Sequence, residues 1–161
     1  MAMRNDGFNM IELLVVLAIT AILAMMAVPS YQGKIIRDQI VEALPLADIA
    51  KAPIAASWAI AQSFPSDNAS AGLPAADMIV NNLIRSVLVR AGAIDITFGN
   101  RANGLIKDKV LTLRPAVVED APTVPVTWVC GFAAAPDNMT IRSGNNTNIP
   151  MSYLPSKCQS L

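Results

Sequence analysis

The chain has 161 residues, room for one domain or for a domain plus an anchor, and its side chains are 53% apolar and only 15% charged. Basic and acidic side chains number 12 each with no run of Lys or Arg, so the charge does not indicate a nucleic-acid partner. There is no histidine, the commonest general base and metal ligand, and the two cysteines, Cys130 and Cys158, are too few for a structural zinc site.

The apolar surplus lies at the N-terminus. Residues 8–28 are apolar except for Asn9, Glu12 and Thr20. As a helix they would span roughly 32 Å, about one bilayer core. A cleaved secretory signal has a shorter apolar core and a small-residue cleavage site, which Ala24 and Ala27 do not supply well. An ordinary anchor helix leaves Glu12 unexplained. A carboxylate in such a span costs about 2.5–3.5 kcal/mol on insertion scales, so it points to a function and to a partner. Nothing basic lies within the span, and Arg4 is the nearest cation. Cleavage just before Phe8 would create an α-ammonium four residues from Glu12. That amine could neutralise Glu12 on its own helix, or pair with it across two helices and set their axial stagger. Arg4 before the span and Lys34 and Arg37 after it leave the orientation open.

After Pro29, Ile36, Ile40, Ala43, Leu44 and Ala47 recur at helical spacing among Lys34, Arg37, Asp38 and Glu42. This predicts an amphipathic helix continuing the apolar one, kinked at Pro45 and at Pro53, each of which costs about 3 kcal/mol in a regular helix interior. Ile49, Ile54 and Trp58 extend the stripe and are expected in a core against a sheet. Residues 62–77, with Pro65, Gly72 and Pro74, read as a loop.

The second half changes to strand periodicity. Residues 83–89 and the alternating 94–98 are expected as a hairpin across Ala91-Gly92, followed by a turn at Asn103-Gly104. Residues 110–118 form a third expected strand, in which Pro115 implies an edge or a bulge, and 126–132 a fourth. Consecutive strands with short turns predict an antiparallel meander with one face on the helix. The tail from Pro136 is rich in turn residues.

Behind an export-type segment, two cysteines and no other thiol read as one disulfide in an oxidising compartment, worth roughly 3–4 kcal/mol on the chain-entropy model. Two unpaired buried thiols are the other reading. No catalytic group is proposed. Glu119-Asp120 has no histidine to work with and reads as a solvated turn. Residues 99–104 lack the Lys-Ser/Thr of a phosphate loop, and Asp95, Asp108 and Asp137 lack calcium-loop spacing. Three Asn-x-Ser/Thr triplets begin at Asn68, Asn138 and Asn145 and carry little weight in so Asn-rich a chain.

Gly7-Phe8-Asn9-Met10-Ile11-Glu12-Leu13 resembles the processing motif of type IV prepilins. It combines a short polar leader ending in Gly, a Phe directly after it, a Glu at the fifth mature position and the apolar span. Pro29 and Tyr31 also fall where such pilins carry Pro and Tyr, and Tyr153-Leu154-Pro155 before the last Cys looks like the type IVa group. The leader carries Asp6 beside Arg4, Asn9 stands where many members have Thr or Ser, and Ala21 where many have Gly.

The resemblance implies a structural, non-enzymatic subunit of a type IV pilus, without a cofactor or metal. It implies cleavage between Gly7 and Phe8 by a prepilin peptidase, N-methylation of Phe8, and contact of Glu12 with the Phe8 amine of an adjacent subunit. It implies an α+β fold in which a long N-terminal helix packs on a four-stranded antiparallel sheet, with a C-terminal loop bounded by a disulfide between Cys130 and Cys158. The expected organisation is a leader over 1–7, a transmembrane and polymerisation helix over 8–28, and a helix continuation with globular domain over 29–161. Helix loosening is expected N-terminal to Pro29, which leaves the Met25 carbonyl without its helical partner. The implied partners are copies of the chain itself in a homo-oligomeric filament, the peptidase, the inner membrane before assembly and the pilus assembly machinery, with the finished filament extracellular. A minor pilin or a type II secretion pseudopilin is the nearest alternative, and the paired C-terminal cysteines argue against the pseudopilin. A membrane-anchored periplasmic binding domain is a further alternative, and it predicts an uncut N-terminus.

Overall fold

The computed structural model describes residues 9–160, and for residues 27–30 the backbone only. The chain divides into two units, Met1–Ile35 and Ile36–Leu161. The expected cleavage site, Gly7 and Phe8, lies outside the described residues.

Helix α1 runs from Met10 to Ala43 and is helical through the position of Pro29. It stops where Pro45 removes a donor and crowds the preceding turn. Leu44–Ala47 then forms a 3₁₀ turn with Pro45 in its first positions, and helix α2 follows from Asp48 to Ala61. The kink expected at Pro45 therefore takes the form of a 3₁₀ turn. Pro53 lies inside α2 without ending it. The carbonyl it fails to serve is that of Ile49, a residue on the exposed face, where water can take the missing donor's place.

In the second unit the buried helical positions are Ile36, Ile40, Ala43, Ala47, Ala50, Ile54 and Trp58. Ile49, expected among them, is 49% exposed. The buried positions recur every three or four residues straight through the 3₁₀ turn, and Ile49, five residues before Ile54, falls off that stripe, so Ala50 takes the core position. Helix α2 ends on Gln62, whose φ of 50° places it in the left-handed region while its N–H donates to the Trp58 carbonyl at 2.9 Å.

The sheet is the expected antiparallel meander. Strands β1 (Ile84–Arg90), β2 (Ala93–Phe98), β3 (Val110–Val117) and β4 (Thr127–Cys130) lie in the order β1-β2-β3-β4. The β1–β2 turn is two residues long, and Ala91 and Gly92 both have positive φ, 47° and 81°, as a type I′ turn requires. Glycine is demanded at 92 for a second reason: a Cβ there would sit 2.6 Å from the Phe64 ring. A short fifth strand, β5 (Thr140–Ile141), pairs with β3 and was not expected from the sequence.

Pro115 is neither on an edge strand nor at a bulge, contrary to expectation. It pairs in register with Trp128 of β4. On the other side of β3 the β2 ladder has ended at Leu113–Ile94, and the Pro115 carbonyl accepts from Arg142 N–H at 3.3 Å. The missing N–H thus falls on the side where Pro115 lies beyond the paired residues of both the β2 and the β5 ladders.

The core between helices and sheet contains Ile36, Ile40, Ile54, Ile94, Ile96, Phe98 and Leu111, all fully buried. The opposite face of the sheet is covered too. Asp95, which alternation turns away from the helices, is only 4% exposed because the tail crosses over it. Its carboxylate accepts from Thr112 Oγ1 at 2.7 Å, Asn146 Nδ2 at 2.8 Å and Arg90 Nε at 3.1 Å. Asn146 N–H and Thr147 Oγ1 bond in turn to Thr112, and Asn148 and Val110 bond reciprocally. The disulfide joins Cys130 at the end of β4 to Cys158, closing this tail onto the sheet.

Candidate assembly site

Each described side chain from Met10 to Met26 is exposed, Ile11, Leu14 and Leu23 by about three-fifths of their surface. Among the described residues this belongs to the one helix long and apolar enough to span a bilayer, and its most apolar 18-residue stretch is wholly unburied. An apolar helix bare on every side is unstable in water and needs lipid or other protein around it. Its hydroxyl is already satisfied internally: Thr20 Oγ1 donates to the carbonyls of Val16 at 2.9 Å and Leu17 at 3.0 Å. Nothing about Thr20 therefore opposes an apolar environment.

Glu12 is the only charged residue between Met10 and Met26. Its Oε2 accepts from the backbone N–H of Asn9 at 3.1 Å. Asn9 immediately precedes the helix and Glu12 stands three residues later, so this is the acidic half of a capping box, in which the carboxylate also lies at the positive end of the helix dipole. The Asn-x-x-Glu spacing is the sequence signal of this helix start. The contact occupies one carboxylate oxygen. It is a neutral donor and leaves the charge uncompensated within the described residues.

An open strand edge is a template for indiscriminate pairing. The outer edge of β1 is closed by three asparagines. Asn68 donates Nδ2 to the Val87 carbonyl at 3.0 Å and accepts the Val89 N–H at 2.6 Å. Asn81 Oδ1 accepts the N–H of Leu83 and Ile84, and Asn100 Nδ2 donates to the Ile84 carbonyl. Asn68 is 6% exposed with its amide fully engaged, which excludes it as a glycan acceptor in the folded chain. No local pattern marks Asn68 or Asn100, whose partners on β1 lie 16 to 21 positions away, whereas Asn81 bonds only two and three positions ahead.

Elsewhere, Arg142 makes a two-pronged pair with Glu119 and lies over the Trp58 ring at 5.6 Å, while Trp58 stacks on Phe64 at 5.1 Å. The guanidinium holds the Glu119 carboxyl below the usual carboxylate range, and Glu119 raises Arg142 in return. The acidic pair expected in a turn is thus half engaged in tying β5 to the chain after β3. Trp58 thus gathers Phe64 and Arg142 into one cluster that acts as a clasp. Among the described residues no group of three or more His, Cys, Asp or Glu is placed to hold a metal ion.

An α+β domain in a chain that also carries a bare apolar helix defines a subunit completed only by lipid or by other subunits. Comparison with known proteins places it. Residues 37–159 match the family model described as pilin (bacterial filament), and residues 2–28 match the prokaryotic N-terminal methylation motif. The chain is 34% identical over 161 residues to the type IV major pilin protein PilE of Neisseria gonorrhoeae, covering 96% of this chain and 94% of that one. It is 33% identical to a fimbrial protein of Neisseria meningitidis serogroup A over the same shares, and 30% identical to the fimbrial protein EcpC of Eikenella corrodens, covering 96% and 91%. The chain belongs to the pilin family and is a structural subunit of a pilus. The family is a structural one and not an enzyme family.

Proposed function

We propose that the chain is a major subunit of a type IV pilus, cut between Gly7 and Phe8 by a prepilin peptidase, N-methylated on Phe8, and polymerised through residues 8–28. The observation that carries this reading is the helix over residues 10–26, apolar on every side, with Glu12 as its single charge. Before assembly that segment lies in the inner membrane. During assembly it exchanges lipid for the same segment of other copies, with the machinery of the pilus extracting it. The alternative surroundings would be water, from which burying each Leu or Ile is worth about 1.5–3 kcal/mol.

Glu12 keeps one oxygen on its helix start and offers the other to the Phe8 amine of a neighbour. A mismatch leaves a carboxylate unpaired in an apolar core, which is the expensive arrangement, so the pair selects one axial stagger. Pro29 loosens the helix around the Met25 carbonyl when the subunits pack. The chain performs no catalysis in this role, and the finished filament is extracellular.

Two measurements test the reading. Intact mass and N-terminal sequencing of protein sheared from cells should give a chain starting at methylated Phe8 and two hydrogens short for the Cys130–Cys158 bond. A start at Met1, or beyond Ala27, removes the filament role. Glu12→Ala should leave membrane insertion unchanged and abolish filaments; normal piliation by that variant would sink the stagger mechanism. Abundance in sheared filaments separates a major subunit from a minor one.

A further inference from the structure

Beyond the stem helix, the second unit carries two unlike surface features at opposite edges of its sheet. The first is an open cavity of about 430 Å³ lined by the apolar Val41, Leu44, Pro45 and Trp128. Lys51, Lys157 and Asp48 stand around it, and Asp48 is already paired with Lys51 at 2.7 Å. That leaves Lys157 as the surplus positive charge of the groove. Trp128 and Cys130 place this groove at β4, one outer strand.

The second is a projection made by the 3₁₀ turn Ala76–Met78, which packs on β1, the other outer strand. Met78 is 72% exposed and Val80 49% exposed, and Asp77 between Ala76 and Met78 is exposed with no salt-bridge partner among the described residues. The edge strands of a four-stranded sheet are roughly 14 Å apart, so within one chain the projection does not reach the groove.

We propose that the Asp77–Met78–Val80 projection of one copy seats in the Val41–Leu44–Trp128 groove of another, with the Asp77 carboxylate on Lys157. The inference rests on the chain being a filament subunit. Charge selects the occupant. Outside the groove itself, the other exposed apolar side chains of this unit lack a free acidic neighbour: Leu88 lies between Arg85 and Arg90, Ile60 and Met151 stand beside uncharged residues, and the carboxylates near Ile49 and Leu105, Asp48 and Asp108, are already paired with Lys51 and Arg85. Met78 is an unbranched, adaptable side chain suited to an irregular apolar gap. Symmetry agrees as well. Two different patches at opposite edges make a head-to-tail contact, which extends without closing, as a helical filament requires and a two-fold dimer does not.

The test places a photo-crosslinking phenylalanine analogue at Met78 in full-length chains and irradiates the filaments sheared from cells. The expected result is a ladder extending beyond dimers, with crosslinked peptides mapping to residues 41–51, 128 or 157. In parallel, Asp77→Lys should lower filament yield by at least about tenfold, since it sets like charges together, and Lys157→Asp in the same chain should restore it. Crosslinks to any other surface, crosslinks that stop at dimers, or an undiminished yield from Asp77→Lys overturn the interface while leaving the pilin reading intact. Failure of the unmodified chain to form filaments overturns that underlying reading instead.

Discussion

Breaking the bond between Cys130 and Cys158 should loosen the whole globular unit, because the loop it closes is a working part of the fold. The two cysteines are separated by 28 positions. On the chain-entropy model a loop of that length contributes about 3–4 kcal/mol. The bond also holds the tail at the position where Asn146 and Thr147 meet Asp95 and Thr112, and where Ile149 and Leu154 are buried. Cys130→Ala with Cys158→Ala should therefore lower the urea midpoint by roughly 1–4 M, taking a slope of about 1–3 kcal/mol/M. Trp58 and Trp128 provide the fluorescence signal, in detergent so that the stem helix stays covered. Reduced wild type keeps both sulfurs and should agree with the double variant within about 1 kcal/mol. Gly131→Ala makes a related strain without removing the bond: φ there is 54°, and an added Cβ would lie 2.8 Å from the Cys158 carbonyl oxygen. A double variant that loses less than about 1 kcal/mol would refute the view that the bond stabilises the fold through its loop.

Three further outcomes are expected. Asn68→Ala leaves the Val89 N–H and the Val87 carbonyl unpaired at a closed edge and should cost about 2–3 kcal/mol, measured by denaturation. Asp95→Ala strands the Thr112 hydroxyl and the Asn146 amide and should cost about 2–4 kcal/mol, with faster amide exchange over 143–148 as the local readout. The Glu119–Arg142 pair sets a pH dependence. Glu119 is depressed when folded, so the pair's contribution is present above the ordinary carboxylate range and is lost as pH falls through the lowered pKa. Arg142 is raised, so its contribution persists across neutral and mildly alkaline pH. Arg142→Met should return the Glu119 titration, followed by carboxyl NMR, toward the ordinary value; an unmoved titration would remove Arg142 as the cause.

The stem helix, its single carboxylate and the meander were legible in the sequence because each is written locally, and the cysteine pair because the chain has only two cysteines. A long apolar run, period-two alternation and turn residues report the environment of neighbouring positions, and backbone geometry does the rest. Tertiary structure alone decided which residues meet across distance. It set Pro115 inside a central strand, because the ladder on one side had already ended. It buried Asp95 under a tail more than 45 residues away, and it turned Asn68, Asn81 and Asn100 into a lid on a strand edge. These outcomes depend on where separate segments come to lie, and a buried polar group is tolerated only where such a distant partner arrives to satisfy it.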